Sequence, residues 1–314
     1  MNKVLIICGP TATGKTDFGI YFAKKFGGEI ISADSRQVYR GMNIGTGKFS
    51  LNDKVEKLEK GLKINGVFVH LVDVCDPKEQ FSVFDFVELA GEKINELWQE
   101  EKLPVIVGGT GFYIDALISG IDTLNVPADE KLRRELEKKS VLNLYDLLLK
   151  NDSQRAKSLN ESDRKNPRRL IRAIEIAASK RLSLESEGLR ADYLMIGLAA
   201  PKKRFFELID RRVDERLRNG MIEEVEGLVK NKVSHKRLDQ FGLEYRWIGR
   251  FLEGKISKEE MVKNLKTDIH NYAKRQIVWF KRDSEIKWFN VSTPNLYQKV
   301  EKITKKWLNI GAGN

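Results

Sequence analysis

The chain is poor in the residues that make disulfides and metal clusters: its 314 residues include two cysteines, Cys8 and Cys75, and three histidines, His70, His235 and His270. Cys8 lies inside one apolar run and Cys75 follows another, so both are expected as buried thiols. The scattered histidines exclude a structural zinc site. Long apolar stretches are also lacking. None approaches the roughly 18–20 residues of a membrane span, and the N-terminus enters a strand pattern with no charged leader region. A soluble, cytoplasmic protein without a membrane partner is therefore expected, and a monomer. Internal repeats and low-complexity tracts are missing as well, although Gly311 to Asn314 is expected to fray.

What is present is enough for a sizeable core and a lopsided charge. A hydrophobic content of 41% over this length suits one large α/β domain with an elaboration. Residues 1–120 carry 14 basic and 16 acidic side chains, whereas residues 121–314 carry 42 and 29. The excess of +11 thus comes from the second part, which suggests a polyanionic partner; a solvated Lys-rich surface is the plainer alternative.

Strand-like runs recur at Val4 to Cys8, Glu29 to Ala33, Val67 to Val74, Val105 to Val107 and Tyr193 to Ala199. Pro104 stands immediately before its run. Helical spacing fills most gaps, notably Asp17 to Phe26 and Val83 to Glu101, which predicts a parallel sheet with helical crossovers. From Pro127 to about Leu189 no strand pattern appears, only charged helical segments at Ala128 to Ser140, Leu142 to Lys150 and Asn166 to Lys180. Beyond the last strand, long helices are expected over Pro201 to Asn231 and Lys258 to Asp283. The predicted organisation is a first core part over 1–125, a helical insertion over 126–190, and a second core part over 191–314, mainly helical.

Between the first strand and first helix lie Gly9, Pro10, Thr11, Ala12, Thr13, Gly14, Lys15 and Thr16. The pattern G-x-x-x-x-G-K-[ST] in that setting makes a nest of backbone N–H groups at a helix N-terminus, suited to phosphate oxygens. Lys15 would reach the outer phosphate, and Thr16 would put a hydroxyl on Mg²⁺ or a phosphate oxygen. The motif says that a diphosphate or triphosphate binds and leaves the reaction open. Asp34, beyond the second strand, should lie in the same crevice, where a carboxylate can accept a proton or hold Mg²⁺ through water. Capping the next turn is its alternative use. After the fourth run come Gly108-Gly109-Thr110, where an NTP hydrolase would often carry an acid; the nearest substitute is Asp73. Basic clusters follow at Arg164 to Arg172, Lys202 to Arg204, Arg211 to Arg218 and Lys274 to Arg282. Helical spacing puts Arg168 with Arg172, and Arg212 with Arg216, on common faces, for gripping phosphates or for ion pairs within the protein.

With these blocks together, the chain resembles a family. GPTATGKT, SADSRQVYRGMNIGTGK (Ser32 to Lys48), HLVDVCDPKEQFSVFDF (His70 to Phe86), VGGTGFYIDALISG (Val107 to Gly120), NPRRLIRAIEI (Asn166 to Ile176) and KRQIVWFKRD (Lys274 to Asp283) are similar to successive blocks of the tRNA dimethylallyltransferases, in family order over nearly the whole chain. The resemblance implies a P-loop NTPase-like parallel sheet core with a mostly helical insertion. It also implies that the loop grips the diphosphate of dimethylallyl diphosphate rather than ATP. The implied reaction is attack by N6 of adenosine 37, in the anticodon stem-loop of tRNA, on C1 of the prenyl group, with Mg²⁺ as cofactor. Asp34 matches the family's general base, Lys15 and Thr16 its diphosphate grip, and Arg212 and Arg216 an Arg-x-x-x-Arg pair around the diphosphate and reaction centre. Asp34, Ser35, Arg36, Gln37, Thr110, Arg133, Arg168, Arg169, Arg172 and Arg275 match tRNA-contacting positions. One departure is Glu244, which stands where the family usually has glycine, and a reshaped turn near the RNA surface is the expectation. Related chemistries on the same loop are prenyl transfer to free AMP and small-molecule phosphorylation; RNA binding without catalysis is the non-enzymatic alternative. The basic stretch Arg164 to Arg172 favours tRNA, because a free nucleotide needs no such surface.

Overall fold

The computed structural model describes residues 2–50, 52–58, 61–121, 126, 128–179 and 188–309. The chain divides into two compact units, Met1–Leu117 with Arg190–Asn314, and Ile118–Leu189. In order, the first stretch holds β1 (Lys3–Cys8), α1 (Lys15–Lys25), β2 (Gly28–Ser32), β3 (Val55–Lys57), β4 (Leu62–Ile64), β5 (Val67–His70), α2 (Val83–Gln99), β6 (Leu103–Gly108) and α3 (Gly111–Ser119). The smaller unit contains α4 (Glu130–Leu136), α5 (Val141–Asn151), α6 (Ser153–Ser158), α7 (Glu161–Arg164) and α8 (Pro167–Ala178). The larger unit resumes with β7 (Asp192–Ala199), α9 (Lys202–Arg218), α10 (Met221–Lys230), α11 (His235–Phe241), α12 (Leu243–Leu252), α13 (Lys258–Phe280), β8 (Lys287–Asn290) and α14 (Leu296–Leu308).

This is a mixed α/β architecture around one sheet, ordered β3-β4-β5-β2-β6-β1-β7-β8. From β5 to β8 every neighbouring pair is parallel, and β3-β4-β5 is antiparallel. β1 is central, hydrogen-bonded to β6 on one side and β7 on the other, and Val4 to Cys8 are all fully buried. A strand covered on both faces needs such an uninterrupted apolar run, which is why it was readable. Apolar residues of α1 and α14, among them Phe18, Phe22, Leu296 and Val300, pack on one core. A second core joins Val38, Tyr39 and Met42 to the faces of α9 through α13. The smaller unit has its own core of Leu136, Leu144, Leu148, Leu170 and Ile174.

Several expectations need correction. Pro104 is inside β6, not before it, paired in register with Glu29 of β2. The pairing of β6 with β1 begins only at Val105, so the missing N–H at Pro104 breaks no bond on that side. β5 stops at His70, because Leu71 takes φ +58° and turns the chain away from the strand path. The hairpin before it was missed, although Asn65-Gly66, both at positive φ, is the two-residue turn that joins paired strands. β8 was missed as well, being four residues of mixed polarity. The helix over Pro201 to Asn231 is two helices, divided at Gly220 with φ +93°. Lys180 and Gly311 to Asn314 lie outside the described residues. Both cysteines are buried and unpaired. No helix among the described residues is long and apolar enough to cross a membrane.

Two glycines report opposite backbone constraints. Gly9 leaves β1 at φ +134°, and a Cβ there would collide with the Leu198 carbonyl oxygen. Gly91 lies within α2 with nothing near its missing Cβ. Gly9→Ala should cost on the order of 2–3 kcal/mol, whereas Gly91→Ala should stabilise by about 0.5–1 kcal/mol. Denaturant unfolding of the two variants checks both signs.

Candidate active site

The loop after β1 is built to leave donors free. Most helices here are capped by a side chain, as α2 is by Ser82 and α13 by Ser257, but α1 begins at Gly14 in the left-handed region with no side-chain cap. Its first N–H groups are therefore open to an acceptor from outside. Within the loop, Thr13 Oγ1 donates to Pro10 O at 2.9 Å and Lys15 Nζ donates to the same oxygen at 2.6 Å. Ala12 sits at φ +62°. Gln276 of α13 ties the loop to its neighbour, accepting from Thr11 N at 2.9 Å and donating from Nε2 to Gly109 O at 2.7 Å. Burial lowers the Lys15 pKa to about 8, with the Arg212 charge acting the same way and Asp34 opposing it.

Arg212 and Arg216 lie one turn apart on α9, the first reaching this loop and the second the segment around Gly45. Arg212 Nη1 donates to Thr11 Oγ1 at 3.2 Å. Arg216 Nη1 donates to Gly45 O at 2.8 Å and to Glu244 Oε1 at 3.1 Å. Gly47, at φ +60°, backs both guanidinium groups so closely that a Cβ would collide with Nη2 of each. Burial and then the neighbouring Arg216 lower the Arg212 pKa. Arg216 Nη2 is buried with no hydrogen-bond partner. Crowded cations with an orphaned donor, beside an uncapped helix end, describe a site short of an anion.

Asp34 follows β2 on the same edge of the sheet. Its Oδ1 accepts from Arg36 N at 2.8 Å and Gln37 N at 3.4 Å, so the capping use is real. Oδ2 has no hydrogen-bond partner among the described residues. Thr110 joins the loops after β2 and β6, since its N donates to Ala33 O at 3.2 Å and its Oγ1 accepts from Ser35 N at 3.1 Å. Burial raises the pKa of Tyr272 of α13, and its hydrogen bond with Thr110 opposes the rise. Gln37 accepts from Ser32 Oγ and donates to Gly47 O at 3.3 Å, while Arg36 Nε donates to Phe241 O at 2.9 Å. Both side chains are thus turned into the protein.

A scaffold not foreseen holds the segment 39–48. Lys48 is fully buried and donates to Tyr39 O at 2.6 Å, to Asn43 Oδ1 at 3.1 Å and to Asp73 Oδ1. Asp73, expected as a substitute metal-binding acid, is instead engaged by this ammonium. From the other side Glu224 accepts from Asn43 N and Ile44 N, each at 2.7 Å, from Gly45 N at 3.0 Å and from Tyr245 Oη at 2.9 Å. Lys48 and Gln276 lay inside quoted sequence blocks. Glu224 carried no local signal, because its partners are backbone groups about 180 residues away. The expectation for Glu244 also changes: it is buried in the first turn of α12, facing Arg216, not in a turn at an RNA surface. Burial raises its pKa, opposed by Arg216.

In the smaller unit the arginines separate into two kinds. Arg133 grips the buried Glu175 with Nε at 2.7 Å and Nη2 at 3.0 Å, and Arg172 reaches the same carboxylate at 3.3 Å and Val126 O at 2.8 Å. Arg169 pairs with Asp163. Arg168 is exposed, and among the described residues its backbone N–H alone is engaged, by the Asn166 cap. In the larger unit, Arg275 is exposed with its guanidinium 5.9 Å from the Tyr272 ring centre.

The profile of the IPP transferase family matches residues 37–283, and that described as isopentenyl transferase matches residues 2–68. The tRNA dimethylallyltransferase 2 of Treponema denticola is 40% identical over 289 residues, covering 90% of this chain and 92% of the relative. The crystal structure of the full-length tRNA isopentenylpyrophosphate transferase of Bacillus halodurans matches with TM-score 0.71 and 34% identity, covering 98% of this chain and 96% of that one. A eukaryotic dimethylallyltransferase, captured acting on tRNA, matches with TM-score 0.81 and 25% identity, covering 98% and 80%. The chain belongs to the IPP transferase family, that of the tRNA dimethylallyltransferases.

Proposed function

We propose that the protein transfers the dimethylallyl group of dimethylallyl diphosphate to N6 of adenosine 37 in tRNA and releases diphosphate. The observation that carries this reading is the anion-deficient cradle of Lys15, Arg212 and Arg216 beside a carboxylate with one oxygen free. On this reading the sheet core is of the P-loop kind, and Gly9 to Thr16 wrap a diphosphate. N6 attacks C1 of the prenyl group as the C1–O bond to diphosphate breaks, and the displaced N6 proton passes to Asp34. A neutral aromatic amine is a poor nucleophile, so a carboxylate on its N–H aids attack. Clustered cations stabilise the departing diphosphate.

Among the described residues no group of three or more His, Cys, Asp or Glu side chains could hold a metal ion. That suits Mg²⁺, which keeps several waters and takes few protein ligands when phosphate oxygens bind it. Thr16, with its hydroxyl at the start of α1, is the residue that would hold it. Bound there, the ion would add positive charge against the leaving group.

For tRNA, Thr110, Ser35 and Asp34 are assigned to the flipped adenosine, which must leave its stack to reach the prenyl carbon. Arg168 and Arg275, exposed and free of ion pairs among the described residues, are assigned to phosphates. Within the smaller unit, Arg133, Arg169 and Arg172 are assigned a supporting role from their ion pairs, and Arg36 and Gln37 shape the loop around the adenosine.

Asp34→Asn should lower the rate of transfer from labelled dimethylallyl diphosphate by about 10²–10⁴-fold and leave tRNA affinity within about threefold; equal losses in both would remove it as the base. Arg168→Ala should lessen the slope of log K for tRNA against log salt by about 1. Arg133→Ala should instead cost about 2 kcal/mol of stability, because it removes two charge-assisted hydrogen bonds and leaves the buried Glu175 to Arg172 and the Asp129 N–H, which thermal unfolding reads. The pH dependence follows from Lys15: its pKa of about 8 is below the ordinary value, so its charge is complete below that pH and lost as pH rises through it. Affinity for inorganic pyrophosphate should therefore fall above pH ~8, with proton uptake on binding. Calorimetry at several pH values, in buffers of different ionisation heat, checks this. Mass spectrometry of nucleosides from tRNA incubated with donor tests the reaction itself, and labelling of AMP in place of tRNA would overturn it.

A further inference from the structure

Glu244, in the first turn of α12, is buried against Arg216. Its Oε1 accepts from Arg216 Nη1 at 3.1 Å, and the same nitrogen donates to Gly45 O at 2.8 Å. Two acceptors on one nitrogen fix the plane of the guanidinium. They leave Nη2 buried, beside Arg212 and Gly47, and without a partner. The next residue acts in the same direction: Tyr245 Oη donates to Glu224 Oε1 at 2.9 Å, and Glu224 holds the N–H groups of residues 43–45. The first turn of α12 thus sets both the arginine and the loop that supplies its second acceptor. That turn starts with Gly242 at φ +74° and Leu243 at φ +44°, the latter a strained conformation for a branched residue. Strain of this kind persists where the surroundings over-determine the backbone, often at functional sites.

We infer that Glu244 is a positioning residue: it locks Arg216 through Nη1 so that Nη2 is presented to the diphosphate of the prenyl donor. The inference rests on the reading of the cradle as a diphosphate site. What matters is the acceptor oxygen at that reach, which the carbonyl of glutamine can supply and which aspartate, one methylene shorter, cannot.

The test uses the full chain and inorganic pyrophosphate as the probe, with affinity measured by calorimetry, tRNA affinity by filter retention, and thermal midpoints alongside. Glu244→Ala and Glu244→Asp should each weaken pyrophosphate by about tenfold, with tRNA affinity held. Glu244→Gln should return it to within about threefold of the parent chain, a rescue that a purely structural role in α12 does not give. Should the alanine variant fail to fold, the aspartate and glutamine pair carries the comparison. Pyrophosphate affinity unchanged in a folded aspartate variant, a glutamine variant as weak as it, or parallel losses for tRNA would each overturn the role of Glu244. A parent chain that binds no pyrophosphate would overturn the cradle itself, which separates the two readings.

Discussion

Like-charge crowding at Lys15, Arg212 and Arg216 is the constraint on which the rest of the site depends. Three cations drawn together, partly out of water, repel one another and shed favourable hydration, as the lowered proton affinities of Lys15 and Arg212 register. Such an arrangement is stable only if the surrounding backbone holds it. Under the proposed function a diphosphate would offset that repulsion, and in a cleft of low dielectric its attraction to these groups would exceed what they give in bulk water.

The holding is done by a carboxylate, an ammonium and an amide, each bonded within the protein. Glu224 takes three consecutive backbone N–H groups, Lys48 pins the same segment from beneath, and Gln276 bridges two strand-end loops with one amide. Lys48 and Gln276 are buried and Glu224 is half-buried, and each is hydrogen-bonded, so each adds rigidity rather than an unpaired penalty. Gly47 is small for a complementary reason, since any side chain there would displace both guanidinium groups.

How much of this could be read in advance depended on range. The stretch Val4 to Thr16 is legible because strand, loop and helix start are specified by neighbours: an unbroken apolar run, two glycines and a helical pattern. The positions of Arg212 and Arg216 on one face of α9 were legible for the same reason, a spacing of four. Glu224 was not, since its partners are backbone atoms whose placement follows only from the assembled fold. Glu244 was visible as an unusual residue but misplaced, because nothing local distinguishes a helix start facing Arg216 from an exposed turn. The arginines of α4 and α8 looked alike in sequence. The buried Glu175, four residues from Ile171 on an otherwise apolar face, was the feature that could have told Arg133 and Arg172 from Arg168.

The Gln276 bridge bears on how the protein comes into being on the ribosome. Its partner Thr11 lies 265 residues earlier, and β7, which flanks β1, is itself made only after the smaller unit. A nascent chain that has emerged as far as α8 already contains every residue of the glycine loop, yet lacks β7, both arginines of α9 and the amide that steadies Thr11. The glycine loop is the first part of the site to be synthesised, and its shape is secured by one of the last.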